Sequence, residues 1–431
     1  MPPSERGLSC AMRRALGPVL VASLALAACR TVPPPPPPQP ATTADRALEE
    51  LAADAFPPFA DDLDYAGLDA ALERSLQHFA RVAQADPGRT LAFGKERVPF
   101  ARVVASLRRF RELVAARPTP AALQEALRRE FRVFRSVGDG RGTVMFTGYY
   151  LPELEGSLSR GGRYQIPLHR APEDLVQVRA RDFPALSADL VGRVKGGRLV
   201  PYPTRAEIAG GAIAGQGAEL AWVTSAVDAF FAEIQGSGIL RLPDGTTRVV
   251  TYAGKNGHRY EAIGAELVRR GALSREQVSM QAIKGWLAAN PAEEALLLAT
   301  NPSYVFFRFA DDALGALGVP VTPDRTIAAD ARVFPKGALA FVETERPADA
   351  AGGPMKPFGR FFLDQDAGGA IKSSARIDLF FGSGAYAESA AGRMKQPGRL
   401  YYLLLRRSTD DSARPARADR APAIPGESSG L

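Results

Sequence analysis

The stretch Leu363-Asp364-Gln365-Asp366-Ala367-Gly368-Gly369-Ala370-Ile371-Lys372, followed by Ile377-Asp378-Leu379-Phe380-Phe381-Gly382, governs how the rest of the sequence is read. Asp366 and Asp378 lie twelve positions apart, and each borders an apolar run rich in strand-forming residues. The Gly368-Gly369 pair marks a place where backbone turns tightly or approaches a neighbour closely. A carboxylate set among Ile377, Leu379, Phe380 and Phe381 is expected to be partly desolvated, and desolvation raises a carboxyl pKa. A carboxylic acid that keeps its proton near neutrality is what general-acid chemistry requires. A single Asp in this setting is equally at home in an Asx-turn or at the exposed end of a strand, so the decision falls to the remaining sequence.

The chain has 431 residues, enough for roughly two to three domains at ~100–200 residues each. Apolar residues make up 46%, which supports a sizeable core and excludes global disorder. The net charge of +7 favours anionic surroundings such as a membrane surface or an acidic polymer. No motif spacing for nucleic-acid recognition accompanies it. Arg13-Arg14, the apolar run Leu16–Ala28 and the small pair Ala27-Ala28 before Cys29 read as a targeting segment, too short to span as a stop-transfer helix. Leu26-Ala27-Ala28-Cys29 resembles the bacterial lipoprotein box, with Cys29 as the lipidated first residue of the mature chain; an ordinary cleaved signal peptide is the alternative. Met12 serves equally as a start. Arg30 after the cysteine is compatible with sorting to the outer membrane, by analogy with such lipoproteins.

Both cysteines, Cys10 and Cys29, lie in this leader. The folded part is therefore expected to use no disulfide, cysteine–zinc site or thiol nucleophile. His78, His169 and His258 show no metal-ligand spacing, so no metal is expected.

After the leader, the run Pro33–Pro38 reads as an extended spacer. Residues 44–135 follow a helical pattern: Leu68, Leu72, Leu76, Phe79 and Val82 share one face, and Leu123, Leu127, Phe131 and Phe134 another. Thr143–Tyr150 is β-branched and aromatic, hence a strand, and Tyr149 and Tyr150 suit either sugar stacking or a core. The middle block mixes short strands and helices. Its Gln235-Gly236-Ser237-Gly238 segment stops a helix and is expected to form a loop offering an amide and a hydroxyl to a sugar. Strand character returns at Asn301–Phe307 and continues through Ala338–Val342 to Leu400–Leu405, with Asp330 as a third notable carboxylate; Ser408 onward reads as a disordered tail. Strands before and after a middle block imply a barrel built from both ends of the chain, with a second β-rich domain inserted.

Phe146-Thr147-Gly148-Tyr149-Tyr150, Gln235-Gly236-Ser237-Gly238, Asn256-Gly257-His258-Arg259-Tyr260, Asn301-Pro302-Ser303-Tyr304-Val305-Phe306-Phe307 and Asp366-x-Gly-Gly-Ala-Ile-Lys372 through Asp378 occur in the order found in the membrane-bound lytic murein transglycosylase A (MltA) family. The resemblance runs from about Gly140 to Arg406, and its last part resembles the three-aspartate (3D) domain, with Asp330, Asp366 and Asp378 as the three. It implies a mainly β, α+β overall fold: a double-psi β-barrel, an inserted β domain and a glycan-holding groove between them. The expected divisions are a signal peptide (1–28), a Pro-rich tether (29–43), helices and the first part of the barrel (44–150), the insert (151–300), the rest of the barrel (301–406) and a tail (407–431).

The resemblance also implies a peptidoglycan lytic exotransglycosylase, a carbon–oxygen lyase that cleaves the β-1,4 bond between N-acetylmuramic acid and N-acetylglucosamine without water and leaves 1,6-anhydro ends. Asp378 would be the catalytic acid and then base, Asp366 its partner and Asp330 a support. Thr147, Tyr149, Gln235 and Ser237 would position sugar, and Lys372 would stabilise developing charge or pair with a carboxylate. No cofactor is implied. The expected partners are glycan strands and the membrane, with the enzyme at the periplasmic face of the outer membrane. A two-carboxylate hydrolase on the same barrel and a non-catalytic glycan-binding lipoprotein are the alternatives.

Overall fold

The computed structural model describes residues 38–407 except Pro184 and Gly352. The leader, Cys29 and the greater part of the tether and tail lie outside the described residues. Among the described residues no helix is long and apolar enough to cross a membrane.

The first part of the chain is less helical than its apolar spacing suggests. After β1 (Leu48–Glu50), α1 (Leu68–Ala85) buries Leu68, Leu72 and Phe79 along the expected stripe. A hairpin of β2 (Thr90–Phe93) and β3 (Glu96–Pro99) leads into α2 (Phe100–Ala115). In α3 (Pro120–Glu130) the Thr119 hydroxyl accepts from Ala122 N at 3.3 Å and Pro120 opens the first turn. The spacing of Phe131 and Phe134 continues the α3 stripe, but Phe131–Ser136 is a strand, β4. Its ladder with the last strand of the chain, from Phe131↔Leu405 to Arg135↔Tyr401, overrides the helical spacing. β5 (Val144–Leu151) follows as expected.

The middle of the chain builds a second sheet. Its strands are β6 (Glu153–Ser157) and β7 (Ile166–His169), and a small three-stranded sheet of β8 (Val176–Val178), β9 (Leu190–Lys195) and β10 (Arg198–Pro201) follows. Then come α4 (Arg205–Ala209), β11 (Glu219–Val223), α5 (Ala226–Gln235), β12 (Ser237–Arg241) and β13 (Thr247–Lys255). Helices α6 (Ile263–Arg269), α7 (Met280–Ala289) and α8 (Glu294–Ala299) precede β14 (Val305–Ala310). The six main strands run in the order β14-β13-β12-β6-β11-β7 over a core of Leu154, Leu168, Val223, Leu240, Val250 and Phe307. The strand expected to reopen the barrel after Asn301 is β14, and it pairs antiparallel with β13 instead. Phe307, one of its apolar residues, is buried in this second core.

The barrel closes with β15 (Thr326–Ala328), β16 (Leu339–Pro347), β17 (Met355–Asp366), β18 (Arg376–Ser383), α9 (Gly384–Arg393) and β19 (Lys395–Leu405). The order β19-β16-β17-β15-β18-β5 returns on itself because β5 also pairs with β19, which makes a closed six-stranded barrel. β4 and β1 continue the sheet beyond β19. One apolar core joins the barrel to α1–α3 through Phe79, Phe110, Phe146, Phe341, Phe361 and Ile377.

A buried ion pair fastens the N-terminal segment to this barrel. Both guanidinium ends of Arg325 meet Asp61, at 2.6 and 2.8 Å, and Phe361 N donates to the same carboxylate at 3.1 Å. Burial pushes the Asp61 carboxyl up, but Arg325 and the backbone donor outweigh it and hold it below its ordinary value. A carboxyl lowered by folding contributes stability that is present above the unfolded value of about 4 and lost as pH falls through the folded value. Asp61→Ala should cost about 3–5 kcal/mol in urea unfolding, because it strands a buried guanidinium. Asp61→Asn should flatten the acid limb of the stability curve, and an unchanged limb would disprove this linkage.

Candidate active site

The barrel register gathers the site into a belt. Ala328 on β15 pairs with Asp366 on β17 at one side and with Asp378 on β18 at the other. Asp378 pairs with Thr147 on β5, and Thr147 pairs in turn with Lys395 on β19. Directly paired strand residues share a face. Val144, Phe146, Ile377 and Leu379 are buried in the main core, so Thr147, Asp378 and Lys395 point outward. The two carboxylates singled out in the sequence therefore flank one short strand at a common level.

Asp378 is not enclosed by apolar groups, as its sequence neighbours suggest. Ile377 and Leu379 turn to the opposite face by the two-residue period of the strand. The Thr147 hydroxyl donates to Asp378 Oδ1. Arg376 Nε donates to the same oxygen at 3.0 Å and its Nη2 to Oδ2 at 3.2 Å, while Nε also reaches Thr147 Oγ1 at 3.1 Å. The Asp378 side chain is 16% exposed and that of Arg376 40%. The acid is thus reachable from solvent and fixed in orientation by a guanidinium fork.

Asp366 has a different setting. Its Oδ1 accepts from Ala316 N at 2.9 Å and Ala367 N at 2.8 Å, and burial pushes its carboxyl above the ordinary value. Behind it, Asp364 is fully buried between Lys336 Nζ and the Tyr402 hydroxyl, the latter at 2.8 Å; burial raises this carboxyl too, with Lys336 opposing. Lys336 also donates to the Asp366 carbonyl. Asp330 ends in a fork with Arg332, at 3.0 and 2.7 Å. Burial pushes the Asp330 carboxyl up, but Arg332 wins and holds it low. Lys372 is exposed, and its charge helps to hold the Asp330 carboxyl low.

Tyr149 lies against Phe380 with ring centroids 5.0 Å apart. Its buried hydroxyl lacks a well-aligned hydrogen-bond partner. Burial and then the charges of Asp366 and Asp378 push this phenol well up. Phe380, Ala313 and Val321 form a small apolar cluster with Tyr149 and with Val249 of β13, so the barrel face and the second sheet meet beside the belt. Tyr260, 46% exposed, stands within the electrostatic reach of Arg376. Tyr150 is a core residue whose hydroxyl donates to Glu388 at 3.3 Å.

The 235–238 segment does not form the expected sugar-facing loop. Gly236 caps α5 in the left-handed region and β12 begins at once. Ser237 is buried, its hydroxyl 3.0 Å from Thr251 Oγ1, and Gln235 Oε1 accepts from Tyr150 N at 3.2 Å. Gln235 thus ties the end of α5 to β5, and Ser237 ties β12 to β13. Arg376, Lys336, Asp364 and Tyr402 were not singled out in the sequence. Arg376 was legible, since a residue two before Asp378 on a strand shares its face. Lys336, in a Pro-Lys-Gly turn far from either belt carboxylate in sequence, carried no such signal.

The family model described as MltA specific insert domain matches residues 145–308, and that of the 3D domain matches residues 325–404. The membrane-bound lytic murein transglycosylase A of Vibrio cholerae is 35% identical over 63% of this chain and 68% of its own length. The protein of that name from Escherichia coli K12 is 35% identical over 62% of this chain and 67% of its own. Among solved structures, a membrane-bound lytic murein transglycosylase from Agrobacterium tumefaciens superposes with TM-score 0.68 at 32% identity, over 83% of this chain and 98% of that one. Escherichia coli MltA with bound chitohexaose gives 0.63 at 27% identity, over 84% and 95%. The barrel with its aspartate belt, the second sheet and these matches place the chain in the membrane-bound lytic murein transglycosylase A family.

Proposed function

We propose that this chain cleaves the β-1,4 bond between N-acetylmuramic acid and N-acetylglucosamine in peptidoglycan without water, with Asp378 as the reacting carboxyl. The observation that carries this reading is one solvent-reachable carboxylate, Asp378, oriented by Thr147 and Arg376 on a face bordered by the second sheet. In the first step the Asp378 carboxyl gives its proton to the glycosidic oxygen as the C1–O bond breaks. The carboxylate left behind takes the proton of the muramic acid C6 hydroxyl, whose oxygen bonds to C1. The proton count closes, the carboxyl is regenerated and the product carries a 1,6-anhydro ring. Because the nucleophile belongs to the substrate, proximity replaces a bound water. Arg376 must give way in the first step, since a carboxyl engaged at both oxygens by a guanidinium cannot present a proton.

Asp366 serves as a support. Two backbone donors on Oδ1 suit it to holding the Ala316 and Ala367 loops, and an oxygen already engaged in this way is poorly placed to activate a water as a hydrolase would need. Tyr149 turns its buried hydroxyl to the Asp366 carboxylate and sets its ring against Phe380 beside the reacting face. Gln235 and Ser237 act as struts, and Asp330 with Lys372 steadies the loop behind β18. The parallel pairs β15–β17 and β18–β5 within an otherwise antiparallel ring support the double-psi assignment of the barrel. We further propose that the second sheet is an inserted domain forming one wall of the glycan groove, and that Cys29 anchors the enzyme to the outer membrane.

Digestion of purified murein sacculi by the chain beginning after Cys29 should release muropeptides one water lighter than reducing-end products, read by mass spectrometry. Reducing ends instead would mean hydrolysis. Asp378→Asn should lower turnover by more than about 10³-fold while still sedimenting with sacculi; retained turnover would remove Asp378 from its role. Tyr149→Phe should lower thermal stability by about 1 kcal/mol, because it removes the buried phenol that faces and hydrogen-bonds the Asp366 carboxylate. The same variant should raise KM.

A further inference from the structure

We infer that a second, anion-binding site lies on the same outer barrel face as Asp378, and that it receives a carboxylate of the acidic peptide stem carried by the glycan. This inference rests on the murein reading above. Its starting point is the belt. From Asp378 the outward face passes through Thr147 and Met145 on β5 to Thr143, and through Lys395 and Pro397 on β19 to Arg399. Alternation along each strand keeps these side chains on one side, and Lys395, Pro397 and Arg399 are all exposed while the intervening residues are more covered. At the far end the face opens into a cavity of about 260 Å³ lined by Arg135, Arg141, Thr143, Pro397 and Arg399. Thr143 lies four steps along the chain from Thr147, so the cavity lies about 13 Å from the reacting carboxyl at ~3.3 Å per residue.

The chemistry of the cavity is that of a carboxylate receptor. Its lining includes three guanidinium groups drawn from three places in the fold: β4, the loop before β5, and β19. Arg135 Nε is buried and lacks a hydrogen-bond partner. Neither Arg141 nor Arg399 has a carboxylate partner among the described residues. The acidic groups that border the cavity do not fill it. Glu49 reaches only Arg135 Nη2, at 3.5 Å, and Glu343, paired in register with Arg399, accepts the Tyr401 hydroxyl at 3.0 Å. Lys395 and Arg376 continue the positive charge toward Asp378. A guanidinium with an unused N–H favours a planar anion that can take paired hydrogen bonds. A neutral amino sugar offers no such group. The stem attached to muramic acid offers several carboxylates within a short, flexible reach. The track therefore reads as a selector for glycan that still carries its stems.

The test compares Arg141→Ala/Arg399→Ala with the parent chain on two substrates, stem-bearing glycan strands and strands stripped of stems by an amidase, which keep only the lactyl carboxylate that amide hydrolysis leaves on the muramic acid ring. The ratio of kcat/KM for stem-bearing over stripped strands should fall about tenfold in the variant, with the change in KM. An unchanged ratio would overturn the site. Direct binding gives a readout that does not need turnover. The isolated acidic tetrapeptide stem should bind the parent chain in calorimetry, more weakly as salt rises, and should bind the variant at least tenfold more weakly. If the parent cuts murein but does not bind the tetrapeptide, the anion site is wrong and the murein reading stands. If the parent binds the tetrapeptide through these arginines but releases nothing from sacculi, the catalytic reading is wrong and the site stands. Arg141→Lys/Arg399→Lys, which keeps charge without the fork, should recover the salt dependence but only part of the affinity.

Discussion

Four paired positions close the barrel. Lys395↔Thr147, Gln396↔Phe146, Pro397↔Met145 and Gly398↔Val144 join the last strand to β5, and without that seam the sheet would be open. Little else in the site is independent of it. The seam fixes the level of Thr147, Thr147 holds Asp378, and the pairing of Asp378 with Ala328 sets its place opposite Asp366. Close packing keeps the seam tight. A methyl group at Gly398 would lie 2.3 Å from the Glu343 carbonyl, and one at Gly148 would lie 2.6 Å from the Phe381 ring. Glycine is needed at both points because backbone and ring approach too closely for any side chain.

Around this frame the fold uses buried ionic groups as fasteners. Asp61–Arg325 ties the N-terminal segment to β15 and β17. Lys336–Asp364–Tyr402 ties the turn before β16 to β17 and β19. In the second sheet, Arg205 and Glu233 meet at 2.6 and 3.0 Å, and the Asn301 and Ser303 carbonyls take the remaining guanidinium donors. Such pairs add little net stability over well-packed apolar groups, yet removing one partner is costly. Their value here is positional. Each joins segments far apart in sequence, and each gives a loop one bonded arrangement where apolar packing would accept several.

That strands before and after the middle of the chain share one barrel was legible in the sequence, because β5, β17, β18 and β19 are apolar or β-branched runs bounded by turn residues. The helical reading of Phe131 and Phe134 failed because spacing of three is shared by a helix face and by a strand buried on both sides, and only the partner strand β19 decides between them. The reading of 235–238 failed for a related reason. Gly-Ser-Gly looks like a loop, but a left-handed Gly236 lets a strand begin in the next residue and turns Ser237 into the sheet. Several of the motifs that carried the resemblance prove to be scaffold. Asn256 donates to the Pro203 and Pro302 carbonyls and accepts from Tyr304 N, and Asn301 accepts from Glu261 N and Ser303 N. The environment of Asp378 was half legible: its strand and face follow from period two, whereas the Thr147 contact depends on a pairing across 231 positions of chain.

Among the described residues, the strand that completes the barrel is also the last one made. β19 ends at Leu405, and until Lys395–Gly398 has left the ribosome Thr147 has no partner on that side. β4, formed from residues some 270 positions earlier, waits for the same strand. A chain that stops before residue 395 lacks the seam on one side of Thr147, and with it one side of the belt's register. The reacting face is therefore assembled late, from a strand pairing that no earlier part of the chain supplies.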